Sequence, residues 1–203
     1  MEKGLVVFIG NSTISIVDQY RLQLQANLPI LFLLPHKNEV VFEKLFHVLK
    51  ADPKSDRAVN LIEGELGSCI FITDKKSPYI KTKREENEKL VQQYEQWLTN
   101  VVDDFDFLFL IGESSCSFDA VVMEYLIDQL TLKNKKGHVV SWCPIQSELA
   151  QENNQSLLEK IEQHHIAHTV VVADDTEPDG FLSLFKAYNK EIAQTVHRIF
   201  QQD

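Results

Sequence analysis

Short apolar runs alternate with longer amphipathic stretches along this chain. Each short run is closed within a few residues by a glycine, a proline or an acidic pair. A run too short for a helix and closed in this way is typical of a buried strand. The predicted strands are residues 5–9, 28–34, 105–111, 138–143 and 169–172.

The longer stretches carry apolar residues three and four positions apart, which is the spacing of one helix face. Because parallel strands need long connections, this alternation predicts an α/β fold: a doubly wound, mostly parallel sheet with helices on both faces, as in Rossmann-like domains. We expect a single domain over residues 1–203. Residues 60–73 fit neither pattern, and residues 74–83 are expected to be polar and mobile. The predicted helices are residues 14–24, 39–49, 84–102, 118–130, 147–164 and 181–200.

The stretch from residue 104 to residue 132 is the centre of this pattern. Its strand is predicted to end at Gly112, a polar loop occupies residues 113–117, and a helix begins near Phe118. In a parallel sheet such a turn lies at the carboxyl end of the strand, and the first helix amides have no partner within the helix. Anions and nucleotides bind at such turns, so this loop is the natural place for a site.

The side chains of this loop have two interpretations. Ser114, Ser115 and Ser117 are suited to binding phosphate, and equally to capping the helix or forming the turn. Cys116 could be a nucleophile whose pKa is lowered by the helix start, but the sequence forces no histidine near it.

Two other polar clusters have similar alternatives. His164, His165 and His168 resemble a metal cluster, yet histidines at a helix end also complement the helix dipole, and no acidic or cysteine partner is at a recognised spacing. A loop carries Asp174, Asp175 and Asp179, for which capping and solvation compete with Mg²⁺ binding. We assign no metal site.

Composition narrows the class of partner and compartment. The formal net charge is −10, and the longest basic cluster is residues 133–136, so a nucleic-acid partner is not expected. Three cysteines without metal-ligand spacing fit a reducing compartment, which predicts a cytoplasmic protein. No secretion signal and no run of about twenty apolar residues is present in the sequence, so a membrane span is not expected.

The order of loops resembles the nucleotide-binding domain of the tubulin/FtsZ family. Residues 61–68 stand where that family has a glycine-containing loop, and residues 104–112 are similar to its central strand. Residues 139–144 resemble the next strand, which also runs into a proline in bacterial members. Residues 170–175 resemble the strand that ends in a polar pair.

The last predicted helix has the most specific likeness. Phe185 and Asn189 are four apart, like the aromatic and the amide with which the family holds guanine, and residues four apart share a helix face. The resemblance implies GTP or another purine nucleotide as a weak ligand, and no other cofactor. The nucleotide-binding residues it implies are Gly10, Asn11, Ser12, Gly112, Ser114, Ser115, Ser117, Phe185 and Asn189.

The chain departs from the family in its phosphate loop. That loop is rich in glycine and threonine in the family, because bare backbone must approach the phosphates. Residues 112–119 instead carry side chains and two carboxylates, Glu113 and Asp119. The sequence closes at Asp203, so we also expect the acidic loop that completes hydrolysis in a neighbouring subunit, and the second domain, to be absent. We assign no catalytic residue.

These departures predict a degenerate, non-catalytic tubulin/FtsZ-like domain that acts through protein–protein association. The expected partner is a tubulin/FtsZ-like polymer, in a cytoskeletal or cell-division filament, or another copy of the chain. Two alternatives stay open. One is a Rossmann-like sensor that binds a small nucleotide or metabolite at the loops of Asn11 and Ser114. The other is a small-molecule hydrolase that uses Cys116 or the Ser/Asp loops.

Overall fold

The computed structural model describes residues 3–20, 28–36, 39–52, 60–73, 83–144, 147–172 and 181–201. Within these ranges the chain forms seven strands and seven helices. The strands are β1 (Gly4–Ile9), β2 (Ile30–Leu34), β3 (Leu61–Gly64), β4 (Gly67–Phe71), β5 (Phe107–Glu113), β6 (Lys136–Trp142) and β7 (Ala167–Val170). The helices are α1 (Thr13–Tyr20), α2 (Glu39–Leu49), α3 (Arg84–Gln93), α4 (Glu95–Asp104), α5 (Ser117–Leu132), α6 (Glu148–His164) and α7 (Phe181–Gln201).

The strands form one sheet in the order β3-β4-β2-β1-β5-β6-β7. Every neighbouring pair is parallel except the hairpin of β3 and β4. Val7 of β1 lies between Leu31 of β2 and Leu110 of β5, so β1 is central. The predicted doubly wound, mostly parallel α/β fold is confirmed.

Two apolar layers enclose the sheet. Val6 and Phe8 of β1 belong to the layer beneath α1, α2 and α7, whereas Val7 and Ile9 belong to the layer beneath α3 to α6. Side chains alternate across a strand, so a strand covered on both faces must be apolar throughout. This explains why the strand signal in the sequence is a continuous apolar run.

Helix α5 is the most enclosed helix in the described part of the chain. It packs against β5 and β6 on one side and against α3, α4 and α6 on the others. Phe118, Val122, Met123, Leu126 and Ile127 are fully buried. Burying each such side chain contributes roughly 1.5–3 kcal/mol, so the position of its first turn is firmly fixed.

The predicted helix over residues 84–102 is wrong in one respect: it is two helices, broken at Tyr94. The Tyr94 backbone, at φ −106° and ψ 7°, ends α3. Its hydroxyl accepts a hydrogen bond from Asn60 Nδ2 at 3.1 Å and donates one to the carbonyl of Thr73 at 3.1 Å. These hydrogen bonds connect the break to the two ends of the β3–β4 hairpin. A local sequence pattern cannot predict contacts between positions so far apart in the chain.

Residues 60–73, which the pattern left unassigned, contain the hairpin of β3 and β4. A β-carbon on Gly67 would stand 2.1 Å from the carbonyl oxygen of Ile30, so β4 can approach β2 only with glycine there. Within the described residues, no helix is both long enough and apolar enough to cross a membrane.

Candidate functional site

The loops after β1 and β5 meet at the carboxyl edge of the sheet, because these strands are parallel neighbours. The amide of Gly10 donates to the carbonyl of Leu33, and the amide of Ser114 donates to that of Trp142, both at 2.9 Å. The prediction that Gly112 ends its strand is wrong: β5 continues through Glu113, which pairs with Trp142. The candidate turn therefore begins at Ser114.

Gly10 and Asp119 are in direct contact across this edge. Gly10 has φ +82°, a left-handed conformation, and a β-carbon on it would stand 2.2 Å from both carboxyl oxygens of Asp119. Asp119 Oδ2 accepts a hydrogen bond from the amide of Glu113 at 3.1 Å. The Asp119 side chain is 1% exposed. Its carboxyl group occupies the space beside the α-carbon of Gly10.

Glu113 also turns into the protein. Its Oε1 accepts a hydrogen bond from Ser115 Oγ at 2.6 Å, and the Ser12 hydroxyl is a second hydrogen-bond partner. Burial raises the pKa of Glu113, and these two hydroxyls oppose the shift. Glu113 thus links the loop after β1 to the loop after β5.

The buried acids influence each other's protonation. Burial, and next the charge of Glu113, raise the pKa of Asp119 well above its ordinary value, against the hydrogen bonds it accepts. Oδ1 of Asp119 is buried and has no hydrogen-bond partner among the described residues, and the same holds for Oδ1 of Asn11. A proton on Asp119 would turn one of these unpaired acceptors into a donor.

Cys116 lies in the same turn, at the N-cap of α5. Burial, and next the charge of Asp119, raise the pKa of its thiol instead of lowering it. The thiolate is the nucleophilic form, so this environment opposes the activation that a helix start alone would suggest.

The serines of the turn are buried and bonded to protein groups. Ser114 Oγ lies 2.6 Å from Asn154 Oδ1 and 3.1 Å from the carbonyl of Trp142, either of which it can donate to. Ser117 Oγ accepts a hydrogen bond from Asn87 Nδ2 at 3.0 Å. These hydroxyls are engaged with protein groups. The N-cap of α5 is Cys116 and has no side-chain cap hydrogen bond, so the predicted capping by serine is not formed there.

Two asparagines that sequence reasoning missed support this turn. Asn153 of α6 donates from Nδ2 to the carbonyl of Ser115 at 3.2 Å, and Asn87 of α3 reaches Ser117. Both are almost fully buried. A signal was present, because Asn87 stands three positions before Leu90 and Asn153 stands four before Leu157, each on an apolar helix face. A polar residue in such a stripe indicates a buried hydrogen bond.

Of the two residues of the predicted guanine pocket, Phe185 and Asn189, only Asn189 has a side chain that the structure describes. Asn189 is half-buried, and the side chain of Phe185 lies outside the described residues. Ile192 is fully buried, in the apolar layer that contains α1. Tyr188, four positions before Ile192, packs against this layer. The side chains of Phe181, Leu184, Val196 and Ile199 lie outside the described residues.

His164 and His168 bond to different partners, on α5 and β6 respectively. His164 Nε2 lies 3.1 Å from Asp128 Oδ1, and His168 Nε2 lies 2.8 Å from Ser141 Oγ. Among the described residues, no group of three His, Cys, Asp or Glu side chains could hold a metal ion. Asp174, Asp175 and Asp179 lie outside the described residues.

Comparison with solved structures places the fold. The chain superposes on CetZ from Methanosaeta thermophila with TM-score 0.70 and 12% identity, over 99% of this chain and 54% of that one. It superposes on an FtsZ dimer from M. jannaschii with TM-score 0.68 and 13% identity, over 97% and 54%. For TubZ of Clostridium botulinum phage c-st the TM-score is 0.64 and the identity 14%, over 98% and 60%.

The chain therefore has a tubulin/FtsZ-like fold and spans little more than half the length of these proteins. A scan against protein-family models finds no match. A search of curated proteins also finds none.

Proposed function

We propose that this tubulin/FtsZ-like domain works through protein–protein association and does not turn over GTP. Its partner would be a tubulin/FtsZ-like polymer of a cytoskeletal or cell-division filament, or further copies of the chain. The single observation that carries this proposal is the contact of Asp119 with Gly10, which places a buried carboxyl group between the loops after β1 and β5.

The chemistry of phosphate binding explains why this contact matters. A phosphate-binding loop presents bare backbone amides to the anion. Here the amide of Glu113 already donates to Asp119 Oδ2. A triphosphate would also need the space beside Gly10 that the Asp119 carboxyl group occupies. Its negative charge would further oppose ionisation of Glu113 and Asp119, whose pKa values burial already raises. Weak affinity for GTP and no turnover follow from this arrangement.

The structural neighbours support the association half of the proposal. They include a protofilament of CetZ2 from Haloferax volcanii bound to GTPγS and a protofilament of TubZ from bacteriophage PhiKZ. Both of those proteins form protofilaments. This chain shares their fold, and we extend association, without nucleotide turnover, to it.

Sedimentation tests the association. The chain is centrifuged alone over a wide range of concentrations, and then with preassembled FtsZ polymer, with bovine serum albumin as the matched control for trapping. The proposal predicts either self-assembly without nucleotide or enrichment in the polymer pellet. A chain that stays monomeric alone and remains in the supernatant with polymer contradicts it.

A sensor function is the second candidate, because the buried Oδ1 of Asn11 has no partner among the described residues at the edge of the crevice. A ligand with a hydrogen-bond donor would satisfy that atom. Mass spectrometry of acid-denatured protein tests it: a stoichiometric purine or metabolite supports the sensor, and an empty protein opposes it.

A further inference from the structure

Strand β7 leaves one edge of the sheet open. Among the described residues, β7 pairs only with β6. The amide of Val171 donates to the carbonyl of Ser141 and so faces β6. Successive peptide groups of a strand point to opposite sides, so the N–H and C=O groups of Val170 and Val172 point outward. Both side chains are also exposed, at 54% and 72%.

This edge lacks the features that usually keep strands from pairing. Edge strands are commonly guarded by charged side chains or proline, and residues 167–172 contain neither lysine, carboxylate nor proline. The edge at β3 differs: Glu63 is exposed there, and Ala51 pairs with Gly64. Only the β7 edge combines exposed valines with an uncharged, β-branched sequence within the described sheet.

A groove of about 440 Å³ runs between this edge and α7. Its helical wall carries Glu191, Thr195 and Arg198, which stand at positions i, i+4 and i+7 and therefore share one face. Glu191 and Arg198 are opposite in charge and two turns apart, about 10 Å along the helix. The buried Thr195 lies between them.

We propose that two copies of this chain associate through their β7 edges, antiparallel, to form one continuous sheet. The two-fold axis would pass beside Thr195 and place the two α7 helices antiparallel on one face of the joined sheet. Glu191 of one copy then faces Arg198 of the other, and the reverse contact occurs by symmetry. Each copy brings one acidic and one basic side chain, Glu191 and Arg198, to the groove. Two copies therefore complement each other in charge better than a partner of uniform charge would.

This interface lies on the edge of the sheet, away from the loops of β1 and β5, and it does not depend on binding to a polymer. Because β7 pairs over only a few residues, the dimer should be weak and detectable at micromolar or higher concentration. Sedimentation equilibrium of the full chain over a wide range of concentrations measures it.

Backbone and side-chain variants locate the interface. Val170→Pro removes an outward N–H that β6 does not use, and Val172→Lys places a charge on the edge; each should weaken dimerisation at least ~10-fold. Leu132→Lys is the matched control, because Leu132 is 78% exposed on α5 and lies outside the groove. It should leave the dimerisation constant unchanged. Circular dichroism verifies that each variant is folded.

A charge exchange tests the geometry. Glu191→Arg and Arg198→Glu should each weaken the dimer, and the double variant should restore it, because the exchanged pair has the same complementarity. A chain that is monomeric at every concentration overturns the proposal. A dimer that persists in both Val170→Pro and Val172→Lys would also overturn it. The same holds if the double exchange variant dimerises no more tightly than either single variant.

Discussion

The carboxyl group of Asp119 lies against the α-carbon of Gly10, in the space that any side chain at residue 10 would need. The contact joins the end of β1 to the first turn of α5. It also lies at the carboxyl edge of the sheet, which is where α/β folds commonly bind ligands. The proposed function and the stability of this edge therefore depend on the same two residues.

Replacing Gly10 by alanine should destabilise the protein. The residue has φ +82°, and the new methyl would collide with the Asp119 carboxyl, so we expect the free energy of unfolding to fall by about 2 kcal/mol. Urea unfolding measures the change. The control is Gly112→Ala, whose methyl would meet the flexible end of Met123 at 3.2 Å and should cost less. An unchanged midpoint for Gly10→Ala would show that the contact is not formed.

Replacing Asp119 by asparagine should remove a pH dependence. The pKa of Asp119 is raised by burial, and next by the charge of Glu113, so the folded protein holds this proton more tightly than the unfolded chain does. Its contribution therefore favours folding as pH falls through the raised pKa, and that contribution is lost as pH rises. Compared with Asp119→Asn, the parent should lose stability as pH rises from 3.8, the ordinary pKa of this carboxyl group, towards its raised pKa. Parallel stability curves would refute a buried, protonated Asp119.

The histidines of β6 and β7 should give the opposite pH dependence to Asp119: they should lower the stability of the folded protein as pH falls. Burial lowers the pKa of both His138 and His168 below 6.5, and His138 lowers that of His168 further. The unfolded chain takes up protons first as pH falls below 6.5, so folding becomes less favourable. His168→Gln removes one titration, and the variant should lose less stability than the parent between pH 7.5 and pH 5. Equal losses in thermal melts would contradict this.

Lys135 should contribute more stability than its neighbour Lys133. Its ammonium donates to the carbonyls of Val102, Asp103 and Phe105 at 2.6–2.7 Å, where α4 ends and the chain enters β5. Lys135→Met should cost about 1.5–3 kcal/mol. Lys133→Met removes one partly exposed ion pair with Asp103 and should cost at most about 1 kcal/mol. Similar losses in chemical denaturation would show that the three carbonyls are not held.

Periodicity predicted the strands and most helices because burial imposes it directly. The run from Leu108 to Ile111 is apolar since both faces of β5 are covered, and the stripe of α6 is periodic since one face is covered. Parallel topology then predicted that the loops of Gly10 and Ser114 meet.

The sequence did not predict contacts that depend on three-dimensional placement. The break at Tyr94 is fixed by Asn60 and Thr73, which no local window includes. Likewise, the sequence placed Glu113 and Asp119 on the loop where a phosphate would bind. It did not predict that Asp119 accepts a hydrogen bond from the amide of Glu113 or that Glu113 accepts one from Ser115. Residues on one loop are visible in sequence, but the direction in which each side chain points is set by packing.

The rate of GTP hydrolysis by the purified chain tests the central claim most directly. Phosphate release is measured with and without protein, and again with Ser115→Ala, which removes the hydroxyl that donates to Glu113. Since the Asp119 carboxyl lies against Gly10 between the two loops, we predict that the chain and the variant release phosphate no faster than buffer. GTP-dependent release that the parent shows and Ser115→Ala abolishes would contradict the account.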